Sequence, residues 1–111
     1  MEITFRTKRL RKVCSKEKEA LRELGERCAE RLMARMAELR AADVLSDISY
    51  LPPVRLHEHV GRGKGVFSVD LKHPHRLLFI PADDPVPYKA DGGIDLDNVS
   101  AIEVIDIIDP H

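Results

Sequence analysis

The chain has 111 residues, with 18 Lys and Arg against 19 Asp and Glu, a formal net charge of −1. That length supports one domain around one core, and 43% hydrophobic with 33% charged residues argues against a disordered chain. No apolar run reaches the ~18 residues that span a bilayer, and MEITFRTKR lacks the apolar centre of a signal peptide, so the expected location is the cytoplasm.

The near-zero net charge conceals an asymmetry. Residues 1–53 carry 12 Lys and Arg against 9 Asp and Glu, residues 54–80 carry 5 against 2, and residues 81–111 carry 1 against 8. A basic front and an acidic back let an almost neutral chain present a positive face to a polyanion.

Glu2 to Arg6 alternates polar and apolar residues, as a half-buried first strand does. Thr7 is placed to cap a short helical turn over Lys8, Arg9, Leu10, Arg11, Lys12 and Val13. Lys8, Arg9, Arg11 and Lys12 most simply form a solvated helix face, and they also suit contacts to a phosphate backbone. Ser15 is a second cap candidate. Beyond it Leu21, Leu24, Cys28, Leu32, Met36 and Leu39 recur at helical spacing and predict an apolar stripe facing the core. Gly25 interrupts that stripe, and two helices meeting there are as good a reading as one long helix. Cys14 and Cys28 fit no metal or redox spacing, and Cys28 reads as a small core residue.

Ala41 to Pro53 is rich in turn formers and reads as a loop with one helical turn. The stretch from Val54 to Ile80 then holds three strand-like runs, five basic side chains and four of the five histidines. Gly61-Arg62-Gly63-Lys64-Gly65 reads as a hairpin loop holding out two cations, and Pro74 marks a second reversal. The prediction is a three-stranded antiparallel meander. Strand parity places Arg55, His57 and His59 on one face, puts Phe67, Val69, Leu71, Leu77 and Phe79 in the core, and sends Arg76 to the polar side. Leu78 and Ile80 share the parity of Arg76, so part of that polar face is expected to be covered.

Pro81 to Asn98 reads as an acidic loop, long for so small a domain, and hence as a mobile flap with few apolar anchors. Ala101 to Ile108, AIEVIDII, reads as a strand buried largely on both sides. The whole predicts an α+β fold, with an N-terminal strand and two or three helices packed on one face of a mostly antiparallel sheet.

Leu51-Pro52-Pro53-Val54-Arg55-Leu56-His57, Gly61 with Lys64-Gly65 and Phe67-Ser68-Val69, His75-Arg76-Leu77 with Phe79, and Ile105-Asp106-Ile107-Ile108-Asp109-Pro110-His111 resemble, in this order, the HigB branch of the RelE/ParE toxin superfamily. The resemblance implies a RelE-like toxin domain over residues 1–111, a metal-independent endoribonuclease that cleaves messenger RNA on the ribosome. It also implies a HigA-like helix-turn-helix antitoxin as partner. The family's strand histidine falls on His57, its sheet arginine on Arg76, its loop lysine on Lys64, and its C-terminal Asp-Tyr-His on Asp109-Pro110-His111. Pro110 stands where the family commonly has tyrosine, and the segment from Pro81 is longer than in short members. Relatives of the ParE kind poison DNA gyrase.

Attack of a 2′-hydroxyl on the neighbouring phosphate needs a proton acceptor, a proton donor for the leaving 5′-oxygen, and cations for the developing charge, with no metal or other cofactor. Histidine and arginine suit those tasks. His57 and His111 are thus the expected acid/base pair, Arg76 the main phosphate clamp, Asp109 the orienter of His111, and Arg55, His59, Arg62 and Lys64 the flanking RNA contacts. The plain alternatives are solvated strand histidines and an Arg76 that pairs with Asp70 or Asp106 across the sheet. Two other readings of the chain remain: a non-nucleolytic member, gyrase-directed or only antitoxin-binding, and a zinc-binding domain built from His57, His59, His73, His75, Asp109 and His111.

Overall fold

The computed structural model describes residues 1–59 and 65–109. Its elements are β1 (Glu2–Phe5), α1 (Lys8–Ser15), α2 (Glu17–Leu24), α3 (Glu26–Ala41), β2 (His57–Glu58), β3 (Phe67–Asp70), β4 (Arg76–Pro81) and β5 (Ala101–Ile108). The strands form one sheet in the order β1-β5-β4-β3-β2. β1 runs parallel to β5, and the other neighbours are antiparallel. This is the α+β architecture expected from the order of apolar periods.

One core joins the helices to the sheet. Leu10, Val13, Leu32, Met36 and Leu39 from the helices share a buried cluster with Phe67, Val69, Leu77, Phe79, Ile102 and Val104 from the strands. The rings of Phe67 and Phe79 stack with centroids 6.1 Å apart across β3 and β4.

Helix boundaries follow local chemistry. The Leu10 amide donates to the Thr7 hydroxyl at 3.1 Å, so Thr7 caps α1 as expected. Ser15 does not cap α2: it is the last residue of α1, and Lys16, without a side-chain cap bond, precedes α2. Gly25 ends α2 and starts α3 at φ +81°, a conformation that costs an L side chain strain even though no atom lies within 4 Å of a Cβ placed there. The stripe is therefore two helices. The break also changes its phase: Leu21 is 42% exposed, and Ala20 is the buried residue of α2.

The meander departs from expectation at its first strand. Only His57 and Glu58 pair as β2, and Arg55 has φ +50°, so it sits in a turn where strand parity does not apply. The second reversal is as expected, with the His75 amide donating to the Lys72 carbonyl at 2.8 Å. β5 shows full burial only at Ile102 and Val104, while Asp106 is exposed. It is central in the sheet by its edges but has one solvated face, which corrects the two-sided burial expected of AIEVIDII.

The Pro81–Asn98 segment is pinned, contrary to the flap expectation. Tyr88 bridges Ile94, the Lys89 amide donates to the Gly93 carbonyl at 2.7 Å, and the Asp95 amide donates to the Pro87 carbonyl at 3.0 Å. Ile94 is 7% exposed, and Val99, just beyond, is fully buried. At its base the Asp83 carboxylate accepts from the Ser100 hydroxyl at 2.7 Å, the Ser100 amide at 3.0 Å and the Ala101 amide at 3.1 Å. Partial burial opposes ionisation of Asp83, but these donors together outweigh it and hold its pKa below the ordinary aspartate value.

Candidate functional site

The face of the sheet away from the main core is built from two cross-strand rows. His57, Ser68, Leu78 and Asp106 lie opposite one another on β2, β3, β4 and β5. Two residues further along, and so on the same face, Asp70, Arg76 and Ile108 form the second row. Ser68 is 1% exposed and Leu78 fully buried, so the middle of the face is covered, as the parity of Leu78 required. His57 is exposed and Arg76 half-buried.

Asp70 organises the charged end. Its carboxylate lies 3.2 Å from Nη1 of Arg55 and 3.7 Å from Nε of Arg76, so two guanidinium groups share one planar anion. Ion pairs this exposed contribute only about 0–1 kcal/mol each, which leaves the arginines available to a competing oxyanion. The histidine end is tied by a different bond: Nε2 of His59 lies 2.6 Å from the Ser68 hydroxyl. The His57 and His59 rings meet edge to face, with centroids 4.9 Å apart. A nearly buried serine fixing one imidazole leaves the neighbouring exposed imidazole as the group that can reach a ligand.

Arg55, His57, His59 and Arg76 are thus brought to one face. Asp109 follows Ile108, the cross-strand partner of Arg76, and so lies at the same end. Arg62, Lys64 and His111 lie outside the described residues. Lys8, Arg9, Arg11 and Lys12 sit on α1, which follows β1 at the opposite edge of the sheet from β2, and of the four Arg9 feels the charge of Asp106 in the first row. Arg9 is held 2.8 Å from Glu23, and the hydrogen bond and charge of that carboxylate raise its pKa further.

Sequence reading missed Ser68 as the partner of His59, and Tyr50, which is 77% exposed in the loop before β2. The signal for Ser68 was its position between two core residues in Phe67-Ser68-Val69. Arg35 was also missed. It is 6% exposed in α3, with Nε 2.7 Å from the Glu38 carboxylate but without hydrogen-bond alignment.

A cleft of about 430 Å³ beside the end of α3 is lined by Glu38, Asp43 and Asp47 and no basic group, which suits no polyanion. Among the described residues no group of three or more His, Cys, Asp or Glu is placed to hold a metal, and no helix is long and apolar enough to cross a membrane. Compared with known protein families, curated proteins and solved structures, the chain matches none.

Proposed function

We propose that this protein is a HigB-like toxin of a type II toxin-antitoxin system: a ribosome-dependent, metal-independent endoribonuclease that acts in the cytoplasm on translated messenger RNA. The observation that carries the reading is an exposed histidine, His57, on the same sheet face as two arginines, Arg55 and Arg76, that already share an anion. The backbones of His57 and Arg76 are two strands and two residues apart, roughly 12 Å, a span that two long side chains close on a single phosphodiester.

In this reading His57 accepts the proton of the 2′-hydroxyl, whose oxygen attacks the adjacent phosphorus. Arg76 and Arg55 bind the phosphate oxygens in place of Asp70 and stabilise the charge that develops on them. The bond to the 5′-oxygen breaks, leaving a 2′,3′-cyclic phosphate, and His111 returns a proton to that oxygen, oriented by Asp109. His59, with Arg62 and Lys64, contacts the flanking RNA.

A HigA-like helix-turn-helix protein is the proposed inhibitor. Inducing this chain alone in bacteria is expected to arrest growth with cleaved transcripts, and co-expression of the neighbouring reading frame to relieve it. Growth that continues normally overturns the proposal. One observation favours a second reading, a non-nucleolytic member: Asp70 neutralises both arginines in the free protein. Growth arrest with intact transcripts selects that reading and a gyrase target.

A further inference from the structure

β1 is an edge strand whose outer side is open. Hydrogen bonds to β5 use alternate residues: the Glu2 amide donates to the Ser100 carbonyl at 3.1 Å and the Arg6 amide to the Val104 carbonyl at 2.9 Å. In a parallel ladder the residues between them direct both N–H and C=O the other way. Ile3 and Phe5 therefore present two donors and two acceptors outward, and among the described residues their amides have no acceptor. Beside this edge lies a cleft of about 440 Å³. Its lining contains Ile3 and Phe5, both half-buried, together with the cations Arg6, Lys8 and Arg11, and no carboxylate.

The charge is not what helix stability asks for. The first turn of α1 contains no acidic residue and begins with Lys8 and Arg9, at the end of the helix where the backbone dipole disfavours cations. Lys8 and Arg11 have no ion-pair partner among the described residues, and Arg6 meets Glu103 only at 3.4 Å. Exposed strand edges are ordinarily closed by a covering element, a bulge or a proline. Here the edge is left open and its rim is basic, which favours an acidic occupant over a neutral one.

We propose that the β1 edge is a docking site for an extended acidic segment of a partner protein, which adds a sixth strand beside β1. Backbone bonds to Ile3 and Phe5 supply the pairing, alternate apolar side chains of the segment fill the cleft, and its carboxylates meet Lys8, Arg11 and Arg6. The surface lies across the sheet from His57 and stands whether or not that face cleaves RNA.

The test uses the full chain and a fluorescent ten-residue peptide of alternating Val and Glu, with a Val-Lys peptide as control. The acidic peptide is expected to bind saturably and at least tenfold more tightly, with affinity falling as salt rises. On binding, the Ile3 and Phe5 amides should gain exchange protection. Ile3→Pro removes only an outward donor and is compatible with an edge strand; it should weaken binding about tenfold relative to Ile3→Ala, which loses the same packing but keeps the donor. Lys8→Glu with Arg11→Glu should abolish the preference for the acidic peptide without touching the ladder. Equal binding of the two peptides, or equal binding by the Pro and Ala variants, overturns the proposal. So does protection of Ile3 and Phe5 in concentrated protein alone, which would assign the edge to a second copy. Binding of a ten-nucleotide RNA in place of the peptide, without protection of those amides, overturns it as well.

Discussion

Arg55 reaches Asp70 at 3.2 Å from a backbone conformation, φ +50°, that an arginine adopts at a cost. A left-handed backbone costs a non-glycine residue about 1 kcal/mol, and such strain tends to persist where a side chain has work to do. Arg55→Gly removes that strain and the guanidinium together. The variant is expected to unfold no earlier than the parent in urea, while binding a short single-stranded RNA several-fold more weakly. Equal RNA binding would show that the strained arginine serves only the turn.

Asp70 pairs with both arginines, and in the proposed reaction it is the counter-charge that an incoming phosphate replaces. Asp70→Asn keeps the shape and frees Arg55 and Arg76, so RNA affinity should rise about fivefold and its salt dependence steepen, with stability falling by no more than about 1 kcal/mol. A structural role alone predicts the stability loss without the change in salt slope. Fluorescence anisotropy across a salt series separates the two.

Asp83 gives the acidic hairpin a pH-dependent anchor. Its pKa is depressed in the folded protein, so its contribution is fully present above the ordinary aspartate value and is lost as pH falls through the depressed one. Replacing it with Ala should cost about 1–2 kcal/mol and flatten the acid limb of the stability profile. Denaturant titrations at neutral and acid pH check both parts. Exchange protection of the Lys89 and Asp95 amides should fall in the variant, because both bond within the hairpin that Asp83 secures.

The two cysteines should be inert in the native state. Burial pushes the Cys14 thiol up to about 11 and raises that of Cys28, so little thiolate exists at neutral pH. Alkylation by iodoacetamide is expected to follow unfolding in denaturant. Rapid labelling of the folded protein would contradict this.

Periodicity made most of the architecture legible. Phe67, Val69, Leu77 and Phe79 lie in the core, where alternation placed them, and Gly25 divides the helices where its cost suggested. Short-range chemistry was legible too, as Thr7 shows. What failed was tertiary. Alternation extended β2 back through Arg55, because a polar and apolar pattern does not register a turn that a non-glycine residue enters at φ +50°. Composition made the Pro81–Asn98 hairpin look loose, because it registers neither the backbone bonds within the segment nor the donors that Ser100 and Ala101 bring to Asp83 from beyond it. Residue type alone offered the α1 cations as phosphate contacts alongside those of the histidine face, and the strand order sets β1, which α1 follows, at the opposite edge of the sheet from β2.

The central claim is that His57 and Arg76 act together on RNA, and primer extension across a translated reporter tests it most directly. Cells expressing the chain should show new 5′ ends inside the reading frame, and none on a reporter whose start codon is removed. His57→Ala should reduce those ends by about 10²-fold or more, the scale of a lost general base, and Arg76→Ala should do the same while both proteins remain folded. Cleavage undiminished in either folded variant, or a reporter left intact by the parent chain, would contradict the account.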